Sequence, residues 1–344
     1  MKGSGSAEMA QKFFGHGGKA DWVAINFLKA EGASSINDAS ALSLEVSSSN
    51  AWRRASILNA YESKTALMGF QDGNFAGAVS QVKGGSLFDR QYLSIDGTVS
   101  ASQSSQMSGL SGKAKVIAGQ KDGFLAWTKT DFENGALSGD QYASSDGINA
   151  WVLQETSLNS ERGSASVFAQ SRDGSKAYSE TAIPVNGISL YAKQEALAGN
   201  RADITDVSGV IGDSGSSHAY AQDPFGNRVE INDTATMSQG LFSSVKQITA
   251  EPNNANVFSD LEITRALSSK ALSSAETSGG DLADTETKLV LTDGDIKTIQ
   301  SLKADGLKAA IDDRTHASAV LSGSANSLAV DSDGNSARTG LELG

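Results

Sequence analysis

One short string in this chain carries residue types that can do nucleophilic chemistry. Gly212-Asp213-Ser214-Gly215 holds a serine between glycines, and a serine of this kind becomes a nucleophile when a histidine oriented by a carboxylate lies beside it. The histidine nearest in sequence is His218, only four residues away, so the serine lacks a plausible base, and the stretch falls at an expected turn of the repeat. We therefore interpret 212–215 as a Gly-Ser segment between strands, and we predict no catalytic residue and no enzymatic activity.

A second string could bind a metal ion. Asp331, Asp333 and Asn335 place side-chain oxygens at alternate positions around Gly334, and calcium prefers ligands of this kind. The later bidentate glutamate of an EF-hand is missing, and Asp333-Gly334 also has the composition of a hairpin turn. The sequence therefore predicts no required cofactor, with calcium at these three residues as the alternative.

Both strings lie in a chain of repeated turns with a period of about 26 residues. Asp146-Gly147 has the composition of a two-residue type I′ hairpin turn, which would place Tyr142 directly opposite Trp151. The turn glycines of the series are Gly73, Gly97, Gly123, Gly147, Gly174, Gly226, Gly294 and Gly334. A second set of glycines lies midway between them, and we expect further reversals there, which would leave strands of about ten residues.

This pattern predicts an all-β fold, a long antiparallel meander of tandem β-hairpins that is stacked or two-layered. A β-solenoid and a closed multi-stranded barrel are the alternatives. We expect an N-terminal segment over 1–40, either partly helical or an assembly arm, and a repeat domain over 41–344 that loosens from about residue 273. Helix and strand both fit residues 7–30 and 295–313.

Aromatic residues recur in phase with the turns. We expect them to form cross-strand pairs or an inter-layer core, although a ladder of rings could also stack on carbohydrate. The set is Trp127, Tyr142, Trp151, Tyr178, Tyr191 and Tyr220.

Composition excludes several classes of protein. The net charge is −12 without a basic cluster, which argues against nucleic acid as a partner. There is no cysteine, so disulfides and Cys-zinc sites are excluded. Serine, lysine and aspartate interrupt the apolar positions of the strands, which argues against a membrane-embedded protein. The first ten residues lack the apolar stretch of a secretion signal.

A Cys-free, acidic chain of Gly-, Ser-, Ala- and Asp-rich hairpins resembles self-assembling cell-surface structural proteins of prokaryotes. It is most similar in style to the tubular sheath proteins of filamentous methanogenic archaea. The resemblance implies a homopolymer at the cell surface or outside the cell, in a filament, tube or S-layer, built through β-sheet edges. The alternative function is a surface adhesin or a carbohydrate-binding repeat protein.

Overall fold

The computed structural model describes the backbone of residues 5–17, 20–33, 35–45, 48–95, 99–146 and 148–343, which form strands and connecting turns without a helix. Contacts divide the chain into two compact units, unit 1 over Met1–Arg172 and unit 2 over Asp173–Gly344. Each unit is an antiparallel meander in which strands that follow one another in sequence pair with one another. The all-β meander predicted from the turn series is therefore confirmed.

Unit 1 holds eight strands among its described residues. They are β1 (Gly5–Gly17), β2 (Ala20–Ala33), β3 (Ser35–Glu45), β4 (Ser48–Gln71), β5 (Asn74–Ile95), β6 (Val99–Gly119), β7 (Leu125–Ser145) and β8 (Ala150–Gln170). From β4 onwards each strand pairs along most of its length with the next one.

Unit 2 holds nine strands among its described residues. They are β9 (Lys176–Ile183), β10 (Gly187–Ala198), β11 (Ala202–Gln222), β12 (Arg228–Glu251), β13 (Asn254–Glu276), β14 (Leu282–Ala304), β15 (Ala309–Ala317), β16 (Val320–Val330) and β17 (Ser336–Leu343). Two of the short strands, β9 and β10, both pair with β11, and β15 and β16 both pair with β14. Each of these pairs of short strands therefore acts as one long, interrupted strand.

The midway glycines do not reverse the chain, so the expected strands of about ten residues are wrong. Most strands from β4 to β14 are 21–24 residues long, and the pairings of β4 with β5 and of β11 to β14 shift register near the middle. Residues with positive φ lie at these bends. Asn59 and Gln239 coincide with shifts of register, whereas Asn134 lies where the register does not change. A single left-handed residue bends and re-aims a strand without turning it back, whereas a hairpin needs a loop.

Because of these bends, the two halves of one strand face each other. On β7, the Thr128 hydroxyl donates to Gln141 Oε1 at 3.0 Å and the Gln141 amide donates to Thr130 at 2.7 Å. On β12, Lys246 Nζ lies 3.4 Å from Asp233 Oδ2. Each unit is thus a sheet folded along its bulges into two layers with a thin core between them.

We call these layers I and II. Layer I of unit 1 contains β1, β2 and the strand halves that meet at the 72–73 and 120–124 turns, and layer II contains β3 and the other halves. Layer I of unit 2 contains β9, β16, β17 and the halves that meet at the 223–227 and 277–281 turns. Layer II of unit 2 contains β10, β15 and the remaining halves.

Most turn glycines lie where the sequence predicts. Gly73, Gly123, Gly174, Gly226 and Gly334 have positive φ between consecutive strands. Gly97 and Gly147 lie outside the described residues. Gly294 is a correction, because it lies inside β14 next to the bend at Asp293 and not in a hairpin.

The predicted register of the strands around residue 146 is also wrong. The connection is the longer 146–149 loop, in which Asp146 Oδ1 accepts the backbone N–H groups of Ile148 and Asn149. Tyr142 therefore pairs with Leu153 and not with Trp151. The helical alternatives are excluded where the chain is described, since 7–30 and 295–313 consist of strands and turns.

Candidate assembly edge and buried polar ladder

A row of polar side chains runs through the core of each unit along layer II. Its members lie directly opposite one another on neighbouring strands and are all buried. In unit 1 the row is Arg53, Gln91, Gln103, Gln141 and Gln154. In unit 2 it is Gln194, Asp206, Lys246, Ser259 and Gln300. We call this row the polar ladder.

The polar ladder holds the two layers in register. Most of its side chains bond to hydroxyl groups that face them from layer I, as Gln141 does with Thr130, whereas Arg53 donates to a backbone carbonyl and Gln91 to Asp89 on its own strand. A buried polar group that loses its partner costs about 1–3 kcal/mol, so sliding one layer past the other would be penalised wherever such a bond broke. The polar ladder therefore fixes the alignment of the two layers across the thin core of alanine, valine and serine.

Unit 1 places a buried arginine and a buried aspartate near one end of its ladder. Arg53 donates through Nη1 to the carbonyl oxygens of Phe27 and Ala66, both in layer I. Asp89 is fully buried and accepts hydrogen bonds from the Thr65 hydroxyl and from Gln91 Nε2. Burial raises the pKa of Asp89 to about 7, although Thr65 and the charge of Arg53 oppose that shift.

Unit 2 places a lysine and two aspartates together in its core. Lys246 pairs across strands with Asp206 in layer II, and it faces Asp233 and Ser217 in layer I. All four side chains are buried. Burial lowers the pKa of Lys246 and raises the pKa of Asp233.

At the C-terminal end of unit 2, inward-facing side chains are exposed to solvent, unlike those of the strands before it. Along layer I, the inward row Thr287, Ala325, Leu341 and the inward row Leu289, Gly323, Leu343 continue from β14 through β16 to β17. Leu289 is 6% exposed, whereas Leu341 and Leu343 on β17 are 57% and 46% exposed. Side chains that the repeat normally buries thus reach solvent on the last strand.

The cause is an overhang of one strand. Layer II of unit 2 ends at β15, while layer I continues to β17, so no strand of layer II stands opposite β17. A notch of about 240 Å³ opens there, lined by Leu289, Val320, Leu341 and Leu343 among others. Among the described residues of unit 2, β17 pairs with β16 alone.

Unit 1 has the corresponding overhang at its N-terminal end. β1 pairs with β2 in layer I, whereas layer II ends at β3. Within unit 1, β1 runs antiparallel to β2 and ends with Gly17 opposite Ala20, whereas within unit 2 β17 runs away from the 331–335 turn. Relative to the layer I turns of its own unit, β1 therefore runs towards that end and β17 runs away from it.

The residues of the candidate serine site do not come together. Ser214 Oγ donates to the carbonyl oxygen of Val185 at 3.2 Å and accepts its N–H at the same distance. His218 lies further along β11, where Nε2 is 3.3 Å from Glu230 Oε1. The prediction that 212–215 lies between strands is wrong, because this segment lies inside β11 at a shift of register with β12.

The candidate calcium loop closes the hairpin between β16 and β17. Asp331 Oδ1 accepts the N–H groups of Asp333 and Asn335, and Oδ2 accepts the Asn335 amide at 2.8 Å. The loop at 223–227 has the same arrangement of Asp223 and Asn227. No cluster of three or more metal-ligating side chains occurs among the described residues. Calcium at Asp331, Asp333 and Asn335 stays a prediction.

The aromatic residues lie on the outward faces of the strands, mostly against one another. The Trp127 ring stacks on Phe168 at 5.6 Å, and the Tyr142 ring meets Trp151 edge-on at 5.1 Å as a diagonal neighbour. Tyr178 lies opposite Tyr220, and Tyr191 is 40% exposed. They form cross-strand contacts outside the core, not an inter-layer core.

Unit 1 also has a shallow groove of about 500 Å³ near its bends. Half of its lining residues are serine or amide residues, and the other half, which include Leu58 and Phe88, are apolar. Arg54 and Arg90 lie over the Phe88 ring at 5.5 and 5.9 Å, so this ring already packs against two cations.

The polar ladder is the feature that sequence reasoning missed. Its signal is a glutamine at mirror positions on either side of the turns of layer II, namely Gln91 with Gln103 and Gln141 with Gln154. None of the described residues forms a helix long and apolar enough to cross a membrane. No family model, curated protein or solved structure matches the chain at a significant level.

Proposed function

We propose that the protein is a non-enzymatic structural protein that polymerises through its sheet edges, β17 of one copy pairing with β1 of the next. The observation that carries this proposal is the exposed inward face of β17 at the C-terminal end of unit 2. An edge strand offers unpaired N–H and C=O groups to another chain unless it is blocked, and neither β1 nor β17 contains proline.

The direction of the two strands supports this joint. With the turns of layer I aligned, β17 and an incoming β1 run antiparallel, which continues the meander from one copy into the next. The apolar row that ends at Leu341 and Leu343 would then be covered in part by the neighbour. Repeat proteins that stay monomeric cover such ends with polar caps, and such a polymer would suit a filament or a surface layer outside the cell.

Sedimentation velocity at micromolar concentration tests the proposal. We expect the wild-type chain to form large species, and Leu341→Lys with Leu343→Lys to sediment near the monomer mass of 35.5 kDa. Charge at these positions would have to be desolvated in the joint. Leu307→Lys is the matched control, since Leu307 is 84% exposed in the 305–308 turn and should leave assembly unchanged. A wild-type protein that remains monomeric at all salt concentrations would refute the proposal.

A further inference from the structure

Lys246 and Asp233 lie on the two halves of β12 and meet in the middle of the core. Nζ is 3.4 Å from Oδ2, and both side chains have no exposed surface. Asp233 Oδ1 has no hydrogen-bond partner. A buried ion pair that is incompletely hydrogen-bonded repays its desolvation poorly, so electrostatic stabilisation is a weak reason for this arrangement.

A second acid stands beside the pair. Asp206 is the cross-strand neighbour of Lys246, and its charge acts on both Lys246 and Asp233. Its Oδ2 accepts from Ser179 at 2.5 Å and from Gln194 at 3.3 Å, while Oδ1 has no hydrogen-bond partner. A chain of hydroxyl groups also connects Asp206 to the amine. Lys246 Nζ donates to Ser217 at 2.7 Å, Ser217 contacts Thr181 at 3.4 Å, and the Thr181 hydroxyl donates to Asp206 Oδ2 at 3.5 Å.

An amine, a carboxyl group and a second carboxyl group, enclosed together and shielded from water, are the components of amide formation. We propose that Lys246 and Asp233 react to form an intramolecular isopeptide bond between Nζ and Cγ, which ties layer I to layer II of unit 2. Asp206 is the proton carrier of this reaction. The inference is independent of the proposed polymer.

The reaction balances without a further reagent. The lone pair of the neutral Lys246 amine attacks Cγ of the protonated Asp233 carboxyl group, and one C–O bond of that group breaks. The nitrogen loses one proton to Asp206, which passes it to the departing hydroxyl, so one water leaves and one amide bond remains. Burial favours both reacting forms, because it lowers the pKa of the amine and raises that of the acid.

Intact mass spectrometry of the full chain under denaturing conditions tests the proposal. We expect the wild-type protein to be lighter than its sequence mass by one water molecule. Trypsin should then fail to cut after Lys246, because an acylated lysine is not a substrate. The peptide 229–265 should therefore appear whole and lighter by one water. A folded wild-type protein with its full mass would overturn the proposal.

Variants locate the bond and the proton carrier. Lys246→Arg and Asp233→Ala should each show the full mass, and Lys288→Arg should still lose water, because Lys288 forms only an exposed ion pair with Glu286. Water loss that persists in Lys246→Arg would refute the assigned bond. Asp206→Asn keeps both reacting groups and should stop or greatly slow the reaction. An undiminished rate in that variant would refute the role of Asp206.

Discussion

Replacing Arg53 with methionine is expected to lower the free energy of unfolding by about 3–5 kcal/mol at pH 8, because buried Asp89 would be left without the positive charge that offsets its own. The guanidinium group is buried and donates to carbonyl oxygens of Phe27 and Ala66 in the facing layer. Without it, those oxygens lose a donor and the Asp89 carboxylate loses a buried cation. Urea denaturation followed by circular dichroism measures the effect.

A control variant at an exposed arginine separates the effect of burial from the effect of losing a positive charge. Arg162 is exposed and lies 3.9 Å from Glu133, so Arg162→Met should change stability by less than about 1 kcal/mol. The double variant Arg53→Met, Asp89→Leu removes both charges and should recover much of the loss. Equal effects of Arg53→Met and Arg162→Met would contradict the buried position of Arg53.

Asp89 is expected to make the protein less stable as the pH rises from 4 to 8. Burial raises its pKa from 3.8 to about 7 in the folded chain, so between these values the folded state binds more protons than the unfolded state. Its contribution to stability is complete below the unfolded pKa and is lost as the pH rises through the folded pKa. The shift corresponds to about 4 kcal/mol over that interval.

The Asp89→Asn variant isolates this contribution, because burial also raises the pKa of other carboxyl groups such as Asp313. Denaturation of both proteins between pH 4 and pH 8 gives two profiles. The wild-type profile should fall more steeply, and the gap between the profiles should change mostly between pH 4 and pH 7. Parallel profiles would contradict a raised pKa for Asp89.

The turn glycines could be predicted because a hairpin loop needs positive φ at a defined place, and glycine supplies it at Gly123, Gly174 and Gly226. The same signal at the midway positions led to the wrong prediction that strands would be about ten residues long. Asn134 and Asn186 also have positive φ, but each bends the path of the chain from one layer to the other instead of reversing it. A residue with positive φ thus occurs both in hairpin loops and in bends within a strand, and only the pairing of the flanking strands distinguishes the two.

The polar ladder could not be predicted from alternation alone. Gln141 and Gln154 follow the period of a strand, and polar residues with that period usually indicate a solvated face. Here they face inward because the strand folds over and brings threonines from its other half within hydrogen-bonding distance. Lys246 and Asp233 would be far apart on a straight strand, and they meet because β12 bends between them.

The absence of cysteine allows the most direct test of the assembly joint. One protein carries Glu342→Cys on β17, and three others carry a single cysteine at Glu8, Ala10 or Lys12 on the outward side of β1. Each of the three is mixed with the first under mild oxidation, and the products are separated on a denaturing gel without reductant.

We expect heterodimers joined by a disulfide between the β17 cysteine and at least one β1 cysteine, with the yield peaking at a single β1 position. Disulfide formation requires Cα atoms within about 7 Å, so only strands that pair closely should react at one register. If no β1 position forms a heterodimer, or if β17 crosslinks only to another β17, the proposed joint between the two edges is contradicted.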